Sequence, residues 1–105
     1  MAGETASERE KRLAEALRRC HMLDDLGLAW LEEPIVYDKF EGYAQLAREL
    51  KTPLQIGENF YGPRDLHRAL SMKAFDFVMP DFMRIGGVTG WLRAAGIAGA
   101  AGIQM

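Results

Sequence analysis

Cysteine is almost absent from this chain. The single Cys20 excludes an internal disulfide, which fits a reducing, cytoplasmic setting. No run approaches the ~20 consecutive apolar residues of a membrane span, and the opening MAGETASEREKR has no apolar signal-peptide core. Positive charge is not in excess either: 13 Lys and Arg against 15 Asp and Glu leave a net charge of −2. No basic field therefore draws nucleic acid or an anionic membrane. The Gly86-Gly87 pair lies outside any GxGxxG or Walker pattern and reads as a tight turn rather than a phosphate loop. What remains is one domain's length at most, 105 residues of ordinary globular composition, 49% hydrophobic and 27% charged.

Four helices alternate with three short apolar runs. From about Arg9 to Leu26, residues Leu13, Ala16, Leu17, Cys20, Leu23 and Leu26 recur at three- and four-residue steps, and Gly27 stands where a helix C′ residue belongs. Residues 1–8 are expected to fray. Asp38 and Glu41 have capping-box spacing ahead of a second stripe, Phe40, Tyr43, Ala44, Ala47 and Leu50. Pro63 suits the first turn of a third helix reaching about Met72, and a fourth is expected over about Thr89 to Ala101. The strand candidates are Leu28–Leu31, Leu54–Ile56 and Ala74–Met79; Gly102–Met105 resembles the start of another. Alternating strands and helices predict an α/β fold with a parallel sheet.

An acid follows each strand: Glu32, Glu58 and Asp81, spaced 26 and 23 residues apart. Period-2 alternation puts each in line with apolar residues of its own strand, namely Leu28/Trp30, Leu54/Ile56 and Phe75/Phe77/Met79. All three acids are thus expected on one side of the sheet at one end, with Glu33 facing away. The C-terminal ends of parallel strands are where α/β folds hold ligands. Repeats of about 25 residues, taken eight times, approach the ~250 residues of a (β/α)8 barrel, so three units make a partial barrel. Converging carboxylates suit a hard cation such as Mg2+; a single such acid usually caps the next helix or sits in solvent.

The segments LAWLEEP, PLQIGENFYGP and ALSMKAFDFVMPDFMRIGGVTGW together resemble the mandelate racemase and muconate lactonizing enzyme family of the enolase superfamily, from about Glu15 to Met105. Residues 1–14 fall outside the resemblance and are expected to be flexible. The resemblance implies a modified (β/α)8 barrel with Mg2+ at its strand ends. It implies removal of the proton α to a carboxylate of a hydroxy acid, followed by racemisation or dehydration, in a homo-oligomeric enzyme. Position by position, it makes Glu32 and Glu58 metal ligands. Asp81 becomes one half of a catalytic dyad with a histidine of the next strand. Arg84 stands where relatives often carry lysine, a change of geometry at constant charge.

Departures accompany these matches. The family's third ligand, an aspartate, aligns near Ala6, in GETASERE; the strands bearing the lysine and histidine acid–base groups have no counterpart. A fragment unable to turn over alone is therefore expected. The alternatives are a non-catalytic remnant, a piece that works only by association, and a Mg2+-binding module without turnover. Among other polar residues, Glu33 is read as making a structural hydrogen bond or salt bridge outside the pocket, and Asn59 as a turn residue or pocket orienter. Cys20 is read as core, and His21 and His67 as surface or boundary residues.

Overall fold

The computed structural model describes residues 3–36 and 39–105. Helix α1 spans Ala6–Leu23 and starts inside the segment expected to fray. A capping box starts it: the Glu8 N–H donates to Thr5 Oγ1 at 3.1 Å and the Thr5 N–H to Glu8 Oε2 at 2.9 Å. Its stripe buries Ala16 and Cys20. The helix stops at Leu23, short of Leu26, because Asp24 turns its carboxylate to the chain ahead of the second strand. There it accepts from the Lys51 N–H at 3.1 and 2.9 Å, and from the Thr52 N–H and hydroxyl at 2.8 Å each. These donors, Lys51 first, hold the Asp24 carboxyl below its usual range. Gly27, with φ 68°, belongs to the following connection and not to a helix C′ position.

Strand β1 is Leu31–Glu32, β2 is Leu54–Ile56 and β3 is Phe77–Val78. Between them run α2, Phe40–Glu49, and α3, Pro63–Ser71; α4, Gly87–Ala100, follows β3. The capping box expected at Asp38 falls outside the described residues. The sheet is parallel in the order β1-β2-β3. A parallel bridge from Phe77 to Gln104, with the Val78 N–H donating to the Gln104 carbonyl at 3.1 Å, starts the fourth strand position expected at Gly102–Met105. The chain is thus an α/β partial barrel of three βα units.

Register corrects the expected facing. Glu32 pairs with Gln55 and Gln55 with Phe77, whereas Leu31 pairs with Leu54 and Ile56 with Val78. Neighbours in register point to the same face of a pleated sheet. Leu54 and Ile56 therefore lie opposite Glu32, not beside it. They are 0% and 1% exposed, packed with Tyr43, Leu46, Leu66 and Ile85 under the helices. Phe75, also expected on the Glu32 side, is buried in the same cluster. The face shared by Glu32, Gln55 and Phe77 is the open one, where Trp30 is 45% exposed.

Two glycines are demanded by close approach. A Cβ on Gly57 would stand 3.0 Å from three backbone atoms of Met79, and its φ is 137°. A Cβ on Gly90 would lie 1.9 Å from the Ile85 carbonyl oxygen, which explains a glycine in the first turn of α4 despite its cost to the helix.

Candidate functional site

The acids collect at the C-terminal ends of the strands, but each is held differently. Glu32 ends β1 on the open face. Its Oε2 accepts from Trp30 Nε1–H at 3.1 Å and from Gln55 Nε2–H at 2.8 Å. Both donors share its face, and Oε1 accepts nothing among the described residues.

Glu33 does not simply alternate away. Its φ of 40° takes the backbone into the left-handed region, and its N–H still donates to the Gln55 carbonyl at 3.2 Å. Asn59 Nδ2 donates to its two oxygens at 3.2 and 3.3 Å. Burial first, then the charges of Glu58 and Glu32, push the Glu33 carboxyl up, against the Asn59 hydrogen bond and the Arg84 charge. Glu33 thus makes a hydrogen bond, but to Asn59 among the strand-end groups and within the field of the other acids, not outside the pocket as alternation predicts.

Glu58 lies past Gly57, where strand alternation no longer applies. It is exposed and its carboxylate accepts no hydrogen bond among the described residues. Asp81 lies past Pro80 and caps the turn into α4: its Oδ2 accepts the Met83 and Arg84 N–H groups at 3.0 Å each. Arg84 crosses back to the β2 loop. Its Nη1 donates to Asn59 Oδ1 at 2.5 Å and approaches the Glu58 carbonyl at 3.4 Å. Its own carbonyl accepts the Gly62 N–H at 3.0 Å.

Alternation already sets Trp30 on the Glu32 side, whereas Gln55 is not singled out by the sequence. Gln55 and Trp30 orient Glu32, and only the cross-strand register pairs Gln55 with it. Asn59 proves to be the bridge between Glu33 and Arg84. His21 and His67 are exposed on helices, away from the acids, and Cys20 is 4% exposed in the core.

Among the described residues no group of three or more His, Cys, Asp and Glu is arranged to hold a metal. Glu32 and Glu58 nevertheless offer carboxylate oxygens, and no described residue engages the Glu58 carboxylate. That donor chemistry fits a Mg2+ ion taking two carboxylates and completing its shell with water and substrate oxygens.

Comparison with known proteins follows the same residues. The family model for enolase C-terminal domain-like proteins matches residues 8–105. An L-talarate/galactarate dehydratase of Salmonella typhimurium is 36% identical over 90 residues, 86% of this chain and 23% of that protein. An N-succinylamino acid racemase of Thermus thermophilus is 33% identical over 85% of this chain and 24% of its own length. Among solved structures, an enolase from the alpha proteobacterium bal199 with bound Mg is 69% identical, with a TM-score of 0.85 over 87% of this chain and 25% of that one. An enolase from Bradyrhizobium, complexed with magnesium and mandelic acid, is 45% identical, with a TM-score of 0.83 over the same shares. The chain spans about a quarter of the length of these proteins. No described helix is long and apolar enough to cross a membrane.

Proposed function

This chain belongs to the enolase C-terminal domain-like family, and from that premise we propose that it supplies the strand-end acids of a Mg2+-dependent site that abstracts the proton α to a carboxylate. The substrate class is a hydroxy acid or acid sugar, and the outcome is racemisation or dehydration. One observation carries this reading: Glu32 and Glu58 stand at the ends of neighbouring parallel strands with carboxylate oxygens that no described residue engages.

Glu32 and Glu58 would hold the ion. Bound there, Mg2+ would supply positive charge beside a substrate carboxylate and so stabilise the charge that develops as the α-proton leaves. The chain's own residues prepare the rest. Trp30 and Gln55 fix one oxygen of Glu32 and leave the other directed by that clamp. Among the described residues Asp81 keeps Oδ1 free while Oδ2 is used by the turn, which supports a role orienting an acid–base partner from another strand. Arg84 adds a fixed cation at the same end.

A second reading has its own support. Among the described residues neither histidine nor any lysine stands at a C-terminal strand end. The three strands would then hold metal, with turnover requiring acid–base groups from complementary strands. Both readings are tested on the 105-residue chain. Isothermal titration with Mg2+ is expected to give weak heat that falls in Glu32→Gln and in Glu58→Gln. Unchanged heat in both variants would remove the metal site. Deuterium incorporation from D2O at the α-carbon of mandelate or galactarate, followed by NMR with Mg2+ present, is expected to be nil. Exchange by a monodisperse monomer would make this chain a complete catalyst.

A further inference from the structure

Arg84 is a cation without an ion-pair partner among the described residues, although four acids surround the strand ends. One nitrogen, Nη1, makes both of its side-chain hydrogen bonds, to Asn59 Oδ1 and to the Glu58 carbonyl. Nε and Nη2 make none among the described residues. Those two N–H groups form the parallel edge by which a guanidinium grips a carboxylate in bidentate fashion. The side chain is exposed, with its Cζ 6.0 Å from the centroid of the Tyr61 ring.

We propose that Glu33 and Asn59 are positioning residues that set Arg84 to bind a carboxylate of a hydroxy acid through its Nε and Nη2 edge. Asn59 is a two-ended bridge: its amide nitrogen is claimed by both oxygens of Glu33, which forces its carbonyl oxygen towards Arg84. Flipping that amide would set an N–H against Nη1 and the carbonyl against a carboxylate. Glu33 therefore dictates which way Asn59 points, and Asn59 dictates which edge of Arg84 stays free. The backbone of Arg84 is fixed independently, by Asp81 Oδ2 at its N–H and by Gly62 at its carbonyl. Losing the bridge thus releases the guanidinium and not the loop.

This assignment rests on the proposed hydroxy-acid site, but it is tested without metal. The probe is tartrate, a dicarboxylic hydroxy acid, added to the 105-residue chain in the absence of Mg2+. The readout is the 15N–1H resonance of Arg84 Nε. Saturable movement of that resonance is expected in the unsubstituted chain. In Asn59→Ala the affinity should fall roughly ten- to hundredfold, as for loss of hydrogen bonding to a charged group. Glu33→Ala should behave similarly, and Glu33→Gln should restore binding, because its amide oxygen still accepts from Asn59. Where Asn59→Ala does not fold, Asn59→Ser with dispersed β2 and β3 amides serves the same comparison. An Nε resonance that ignores tartrate, or that responds equally in the Asn59 variant, overturns the proposal. Failure of the Mg2+ titration alone would not.

Discussion

The two faces of the three-stranded sheet are built to opposite rules. Under the helices, Leu54, Ile56 and Val78 are 0 to 1% exposed and lie in one cluster with Tyr43, Leu46 and Leu66. On the other face, Gln55 lies between Glu32 and Phe77 in register, and Trp30 and Met79 are 45% and 53% exposed. A groove of about 370 Å3 runs there, lined by Trp30, Gln55, Phe77 and Gln104 among others. One face carries cohesion; the other exposes Glu32 above a Gln55 that is itself 6% exposed and committed to that acid by a hydrogen bond. A single continuous strand, Leu54-Gln55-Ile56, serves both faces, with the glutamine beside Glu32 and the aliphatics as its foundation.

Truncating a side chain on each face in turn separates the two roles most strongly. Leu54→Ala should cost about 2–5 kcal/mol, transfer and cavity together, which is comparable with the whole margin of a small domain. Trp30→Ala, on the open face, should cost about 1 kcal/mol or less. Urea unfolding followed by circular dichroism compares them; equal losses would mean that the two faces are equally buried.

Where the faces meet, at the end of β2, Gly57 is the critical position. Gly57→Ala should cost about 1–3 kcal/mol, the scale of a residue forced into a sparsely populated conformation. The added Cβ presses on the Met79 backbone and tilts the loop that carries Glu58. Thermal melts give the stability change, and a matching loss of Mg2+ heat would show that the same glycine places the acid.

A smaller effect belongs to the opposite end of the sheet. Asp24 is held below its usual range by the Lys51 and Thr52 donors. The unfolded chain takes up that proton near the ordinary value of 3.8, and the folded chain only at lower pH. Stability from this carboxylate is therefore complete above that value and is lost as pH falls through the folded pKa. Asp24→Asn should lower stability at pH 7 and flatten the acid limb of a plot of melting temperature against pH. An acid limb unchanged in the variant would place that titration elsewhere. The least effect is expected from His21→Ala and His67→Ala, which should leave Mg2+ heat unaltered because both lie on helices away from the acids; titration calorimetry checks both.

Much of this molecule is legible in its sequence where the physics is local. The stripes of α1 and α2, Pro63 opening α3 and the strand at Leu54–Ile56 follow from periodicity and turn chemistry over a few residues. The spacing of Glu32, Glu58 and Asp81 suffices to put acids at strand ends. The departures have a common form. Alternation does not carry from Ile56 across Gly57 to Glu58, or from Met79 across Pro80 to Asp81, because the chain leaves the strand conformation at both points. Helix α1 starts earlier than its stripe because a capping box, not apolar spacing, begins it.

The order of helices and strands, the parallel α/β class and the positions of the carboxylates along the chain follow from the amino-acid sequence alone. These depend on side-chain size, polarity and backbone preference within single elements. Which face each residue occupies was decided only by tertiary structure, because facing is set by cross-strand register and not by one strand's pattern. Register put Gln55 beside Glu32 and turned Leu54 and Ile56 to the helices. In the same way, Glu33 turns at a positive φ and its carboxylate accepts from Asn59, whose bridge to Arg84 joins residues 26 and 25 positions apart. Contacts between such distant residues exist only once the sheet has brought the ends of its strands together.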